Sequence, residues 1–75
     1  MTRLPALTAR KLLGALQRAG YSIHHSTGSH YYLKHPKRPE VRITVPYHRG
    51  DLKRQTVQSI LRQAGMTADQ LVELL

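Results

Sequence analysis

Val41-Arg42-Ile43-Thr44-Val45 alternates strictly between apolar and polar side chains. A period of two marks a strand with one apolar face and one polar face. A lone strand cannot bury that face. The rest of the chain must supply partner strands and a cover over Val41, Ile43 and Val45, while Arg42 and Thr44 face away.

Two further stretches have strand character. Tyr21-Ser22-Ile23-His24-His25-Ser26 sets Tyr21 and Ile23 among polar neighbours, and His30-Tyr31-Tyr32-Leu33-Lys34 is rich in tyrosine. Thr27-Gly28-Ser29 joins them as a turn, with Gly28 free to take a positive φ. His35-Pro36-Lys37-Arg38-Pro39-Glu40 is a second turn, whose two prolines end the pairing. Connections this short make the three strands an antiparallel meander.

The cover comes from helices. Thr8 reads as an N-cap, and Leu12, Leu13, Leu16 and Ala19 recur at helical spacing, which predicts a helix over 8–19 that stops at Gly20. Asp51 reads as the cap of a second helix over about 52–64. Its apolar stripe is Val57, Ile60, Leu61 and Ala64, its exposed face carries Lys53, Arg54, Gln58 and Arg62, and Gly65 ends it. Thr67 caps a short last helix with Leu71, Val72, Leu74 and Leu75 available for burial. The expected architecture is one α+β domain over residues 1–75, with two helices on one face of a three-stranded antiparallel sheet and a short C-terminal helix. Its α-β-β-β-α order is that of double-stranded RNA-binding domains. Order alone does not fix function.

Charge narrows the function. Twelve Lys and Arg against four Asp and Glu give +8 with neutral histidines, spread along the whole chain. A folded domain with such a surface favours polyanions, nucleic acid first, with an acidic protein partner as the second candidate. The absence of cysteine excludes disulfides, thiolate metal sites and a cysteine nucleophile, and fits a reducing cytoplasm. No apolar run approaches the roughly 20 residues that span a bilayer, and Met1-Thr2-Arg3-Leu4-Pro5 lacks the apolar core of a signal peptide, so the expected location is cytoplasmic.

Chemistry concentrates at Gly28-Ser29-His30. A glycine turn lets backbone approach a phosphate, Ser29 and the turn amides can donate hydrogen bonds, and histidine is the side chain suited to proton transfer near neutral pH. Metal-free RNA cleavage needs a base for the 2′-hydroxyl and an acid for the leaving 5′-oxygen, and histidine serves either role. Read by itself, the tripeptide also fits an ordinary hairpin with a surface histidine. His48 and Arg49 stand at the exit of the third strand. His48 fits a second acid or base, a phosphate ligand, or a loop histidine capping the next helix. Arg49, Lys53 and Arg54 gather near the start of the second long helix, where cations oppose the macrodipole and where phosphates bind readily. Strand alternation sets Tyr31 and Leu33 on one face and His30, Tyr32 and Lys34 on the other. Tyr32 is then placed to stack on a base, or packs as strand tyrosines commonly do. Adjacent His24 and His25 point to opposite faces of a regular strand and cannot share one metal ion. Carboxylates are scarce, and no metal or other cofactor is expected.

Several short motifs recur in a specific order: Leu12-Leu13 with Leu16, Ala19-Gly20-Tyr21, Gly28-Ser29-His30, His35-Pro36, Val45-Pro46 with His48, and Ile60-Leu61-Arg62-Gln63-Ala64-Gly65-Met66. Together they resemble the HicA, or YcfA-like, family of toxins from toxin–antitoxin pairs, over roughly residues 8–66. The resemblance implies a double-stranded RNA-binding-domain-like fold and a ribosome-independent endoribonuclease acting on messenger RNA. It implies His30 as the catalytic histidine, and a HicB antitoxin that binds the toxin and covers His30. Gly28, Ser29, Lys34, His48, Arg49, Lys53 and Arg54 are then expected at the RNA phosphates. The loop Arg49-Gly50-Asp51-Leu52-Lys53 is shorter than in many members, which leaves the part of His48 open.

Overall fold

The computed structural model describes residues 3–75, and Met1 and Thr2 of the expected N-terminal lead lie outside it. The first helix, α1, runs Ala9–Arg18. The Thr8 hydroxyl accepts from the Lys11 N–H at 3.2 Å and satisfies one of the first-turn donors. Leu12, Leu13, Ala15 and Leu16 turn one face inward. At the other end Gly20 takes φ 102°, the Gly20 N–H reaches Gln17 O at 3.0 Å and the Tyr21 N–H reaches Leu16 O at 3.0 Å. That bond pair is a Schellman closure, and it directs the chain back along the helix.

The strands are β1 (Ser22–Ser26), β2 (His30–His35) and β3 (Arg38–Pro46), in the order β1-β2-β3 and antiparallel throughout. The expected meander is present, with four corrections. Tyr21 precedes β1 and is buried, whereas Ile23 remains 40% exposed. The helices pack mainly on β3, which leaves β1 an edge strand with all five of its residues exposed. The second turn is only Pro36-Lys37, and β3 begins at Arg38. Pro39 therefore sits inside a strand, where the register jumps from Lys34↔Arg42 to His35↔Arg38. A residue without an N–H fits an edge strand at such a bulge. β1 also slips register between Ile23 and His25, which breaks the regular alternation assumed for His24 and His25.

The second long helix, α2, spans Arg54–Ala64, two residues shorter than expected at its start. Asp51 does not cap it. Asp51 bridges Thr8, and the Leu52 N–H donates to Leu7 O at 2.7 Å while its side chain is buried. The segment is held as extended chain, so the helix starts after it. The N-cap is Lys53, which makes no side-chain capping bond. Gly65 closes α2 in the left-handed region at φ 65°. The last helix, α3 (Ala68–Leu74), begins with a full capping box between Thr67 and Gln70. Leu71 is fully buried there, whereas Val72 and Leu75 are exposed.

One apolar cluster joins these parts. Leu33, Ile43 and Val45 of the sheet meet Leu12, Leu16, Val57, Ile60, Leu61 and Leu71 of the helices. The sheet therefore has a covered face and an outer face. His35 locks the layers. Its Nδ1 accepts from the Lys37 N–H at 3.1 Å, so its Nε2 carries the proton and donates to Ala19 O at 3.2 Å. The ring also meets Tyr21 edge-on at 4.9 Å. Gly20 leaves the necessary space, since a Cβ there would stand 2.7 Å from His35 Nε2. Arg38 does the same for α2, donating to Ala64 O at 2.8 Å beside Gly65. Among the described residues no helix is long and apolar enough to cross a membrane.

Candidate functional site

The turn before β2 is pinned by its own hydroxyl and backbone groups. The Thr27 N–H donates to His30 O at 2.9 Å, the His30 N–H donates to Thr27 Oγ1 at 3.1 Å, and the Tyr47 N–H donates to Ser29 O at 2.7 Å. Gly28 does not take the positive φ expected of it. The left-handed glycines are Gly20, Gly50 and Gly65, and a Cβ on Gly28 would meet nothing within 4 Å. Local geometry does not require glycine there. Its effect is a bare stretch of backbone that a ligand can approach.

The His30 ring is partly buried, and its Nδ1 lies 2.9 Å from Ser29 Oγ. A serine hydroxyl can accept from Nδ1–H both when the imidazole is neutral and when it is charged. The ring is thus oriented in either proton state, and Nε2 has no partner among the described residues. His30 borders an open groove of about 360 Å³ between β3 and α2. Thr44 and Pro46 of β3 line one side, and Gln55, Thr56, Ser59 and Gln63 of α2 line the other. These α2 residues were not singled out in the sequence. Their signal is a polar row at helical spacing beside the apolar stripe, and such rows are common on solvated helices.

The expected phosphate contacts divide by position. Gly28 and Ser29 adjoin His30 in the turn. Lys53 stands at the start of α2, whose first i→i−4 bond is Val57 N–H to Lys53 O at 3.1 Å, so the amides of Arg54, Gln55 and Thr56 come before the helical ladder. Gln55 and Thr56 line the His30 groove, which brings that helix end to the histidine. Arg54 instead lines a separate hollow with Arg3, Gln58 and Arg62. Lys34 shares the outer sheet face with His30 but sits four residues along β2, roughly 13 Å away, opposite Arg42. His48 and Arg49 are exposed, and His48 Nδ1 lies 3.0 Å from Arg49 O. His48 is not among the residues that line the His30 groove. Among the described residues no three histidines or carboxylates are grouped to hold a metal ion.

The sequence comparison decides the family. A model of the HicA toxin of bacterial toxin–antitoxin pairs matches residues 9–66. The chain belongs to the HicA toxin family. No curated protein is matched. The HicA span covers α1, the whole sheet and α2, and leaves α3 outside. Within it, the HicA-like motifs separate into two kinds. Ala19-Gly20-Tyr21, His35-Pro36 and Ala64-Gly65-Met66 are structural, since they close helices and lock them to the sheet. Gly28-Ser29-His30 closes no helix and faces open space.

Proposed function

We propose that this HicA-family chain is the toxin of a type II toxin–antitoxin pair and acts as a metal-independent endoribonuclease on messenger RNA, with His30 as its one catalytic histidine. The observation that carries the reading is the His30 ring, held at Nδ1 by Ser29 with Nε2 free at the edge of a groove. Nε2 takes the proton of the 2′-hydroxyl, and the 2′-oxygen attacks the adjacent phosphorus. The P–O5′ bond breaks, leaving a 2′,3′-cyclic phosphate on one product and a free 5′-hydroxyl on the other. The proton for the leaving oxygen returns from the charged imidazole or from water, because Thr44, Gln55, Thr56, Ser59 and Gln63 offer the groove no stronger acid. Charge on the pentacoordinate phosphate is met by Lys53 and the first-turn amides of α2. Gly28 and Ser29 give the backbone approach, Lys34, Arg49 and Arg54 hold more distant phosphates, and His48 contacts phosphate from the loop.

HicA-family toxins are held in check by an antitoxin. We take the partner to be a HicB-type chain that covers His30 in the cytoplasm, where messenger RNA is found. A fold of the double-stranded RNA-binding class also suits a module that binds RNA without cutting it. Incubation of the purified chain with RNA in EDTA separates the two. The enzyme yields discrete fragments under chelation, whereas a binder yields an intact band of lower mobility.

A further inference from the structure

The outer face of the sheet carries a row of rings that leads away from His30. His25 of β1 and Tyr32 of β2 are cross-strand partners with ring centroids 5.5 Å apart and planes 27° apart. Tyr32 and His30 follow at 6.4 Å and 29°. Three rings of similar tilt therefore run in series over one surface. Tyr31 packs against the core, but Tyr32 is not among the residues that do so. The same face ends in Lys34 and Arg42, which stand directly opposite each other across β2 and β3. Like charges in that position destabilise a strand pair. An anion lying over them removes the repulsion.

We propose that His25 and Tyr32 form a base-stacking platform beside His30, so that the ribonuclease site takes RNA with unpaired bases and not duplex RNA. The proposal rests on the RNA reading above. Stacking needs an open base face, and an A-form helix hides its bases in the stack. An aromatic surface gains about 1–3 kcal/mol for each exposed base it receives. A strand laid along β2 puts bases on Tyr32 and His25, places backbone at the Lys34–Arg42 pair, and carries the cut phosphate to His30. The +8 charge favours this polyanion over an apolar partner on the same face.

Anisotropy with labelled 2′-O-methyl RNA tests the platform, since this probe binds without being cut. The wild-type chain should bind a single-stranded 12-mer at least about tenfold more tightly than a blunt duplex of the same sequence. Tyr32→Leu, which keeps bulk but removes the ring, should weaken single-strand binding by about tenfold, and Tyr32→Phe should stay near wild type. Equal affinity for the duplex, or a folded Tyr32→Leu variant with unchanged affinity, overturns the proposal and leaves the face to an acidic protein partner. The ribonuclease reading fails separately. A chain that cuts no natural RNA but still shows Tyr32-dependent single-strand binding removes the enzyme and keeps the platform.

Discussion

His30→Ala should lower RNA cleavage by about 10²- to 10⁴-fold, the usual contribution of a positioned acid or base. The fold should survive the change. The bonds that pin the turn use the His30 backbone N–H and C=O and leave its ring out. The ring is partly exposed, its side-chain partner is the exposed Ser29 hydroxyl, and neither contributes to the apolar cluster. The variant should therefore melt within a few degrees of wild type. If expression of the wild type arrests growth, expression of His30→Ala should not. Cleavage within about threefold of wild type in a folded His30→Ala chain would remove the histidine from the mechanism.

The largest effect on stability should come from Gly20→Ala. Two costs combine there. A φ of 102° lies outside the comfortable range of any residue with a Cβ, at about 1–3 kcal/mol. The new methyl would also stand 2.7 Å from His35 Nε2. It must push the ring off Ala19 O, at about a further 1 kcal/mol for the lost hydrogen bond. A total of about 2–4 kcal/mol should lower the melting temperature of a domain this size by roughly 10–25 °C. The two residues should also be coupled. Once His35→Ala has removed the ring, Gly20→Ala retains only its backbone cost. The double variant should then be more stable than the sum of the single losses predicts, by about 1 kcal/mol. Strict additivity would mean that the ring does not lock against Gly20.

Sequence reasoning reached the layers because their signals are local. Thr8 and Thr67 cap the helices they were expected to cap, and the alternation of 41–45 put Ile43 and Val45 in the core. It failed where a distant segment competes for the same groups. Asp51 has the chemistry of a cap, but Thr8 and Leu7 hold the 51–52 backbone in a bridge, so the helix waits until Lys53. Pro39 reads as a strand breaker until a bulge on an edge strand gives it a place. Ile23 reads as core, but the helices pack mainly on β3 and leave this edge-strand residue exposed. At the candidate site, the turn before β2 was legible from its residues, and His30 was singled out through the resemblance to HicA toxins. The Gln55–Ser59 wall was not, because only the packing of α2 on β3 brings it to His30. His35 illustrates the converse. It stands among five histidines in a basic chain, and only its bonds to Ala19 O and the Lys37 N–H identify it as a structural lock.

The most direct measurement is cleavage, in EDTA, of an RNA carrying a single 2′-deoxy sugar immediately 5′ of the cut phosphate. Transfer to the 2′-oxygen requires the hydroxyl that this substrate lacks. Cleavage at that bond should disappear, while the all-ribose control is cut to products ending in a 2′,3′-cyclic phosphate and a 5′-hydroxyl. Undiminished cleavage of the deoxy substrate at the same bond would contradict the account and assign the attack to water.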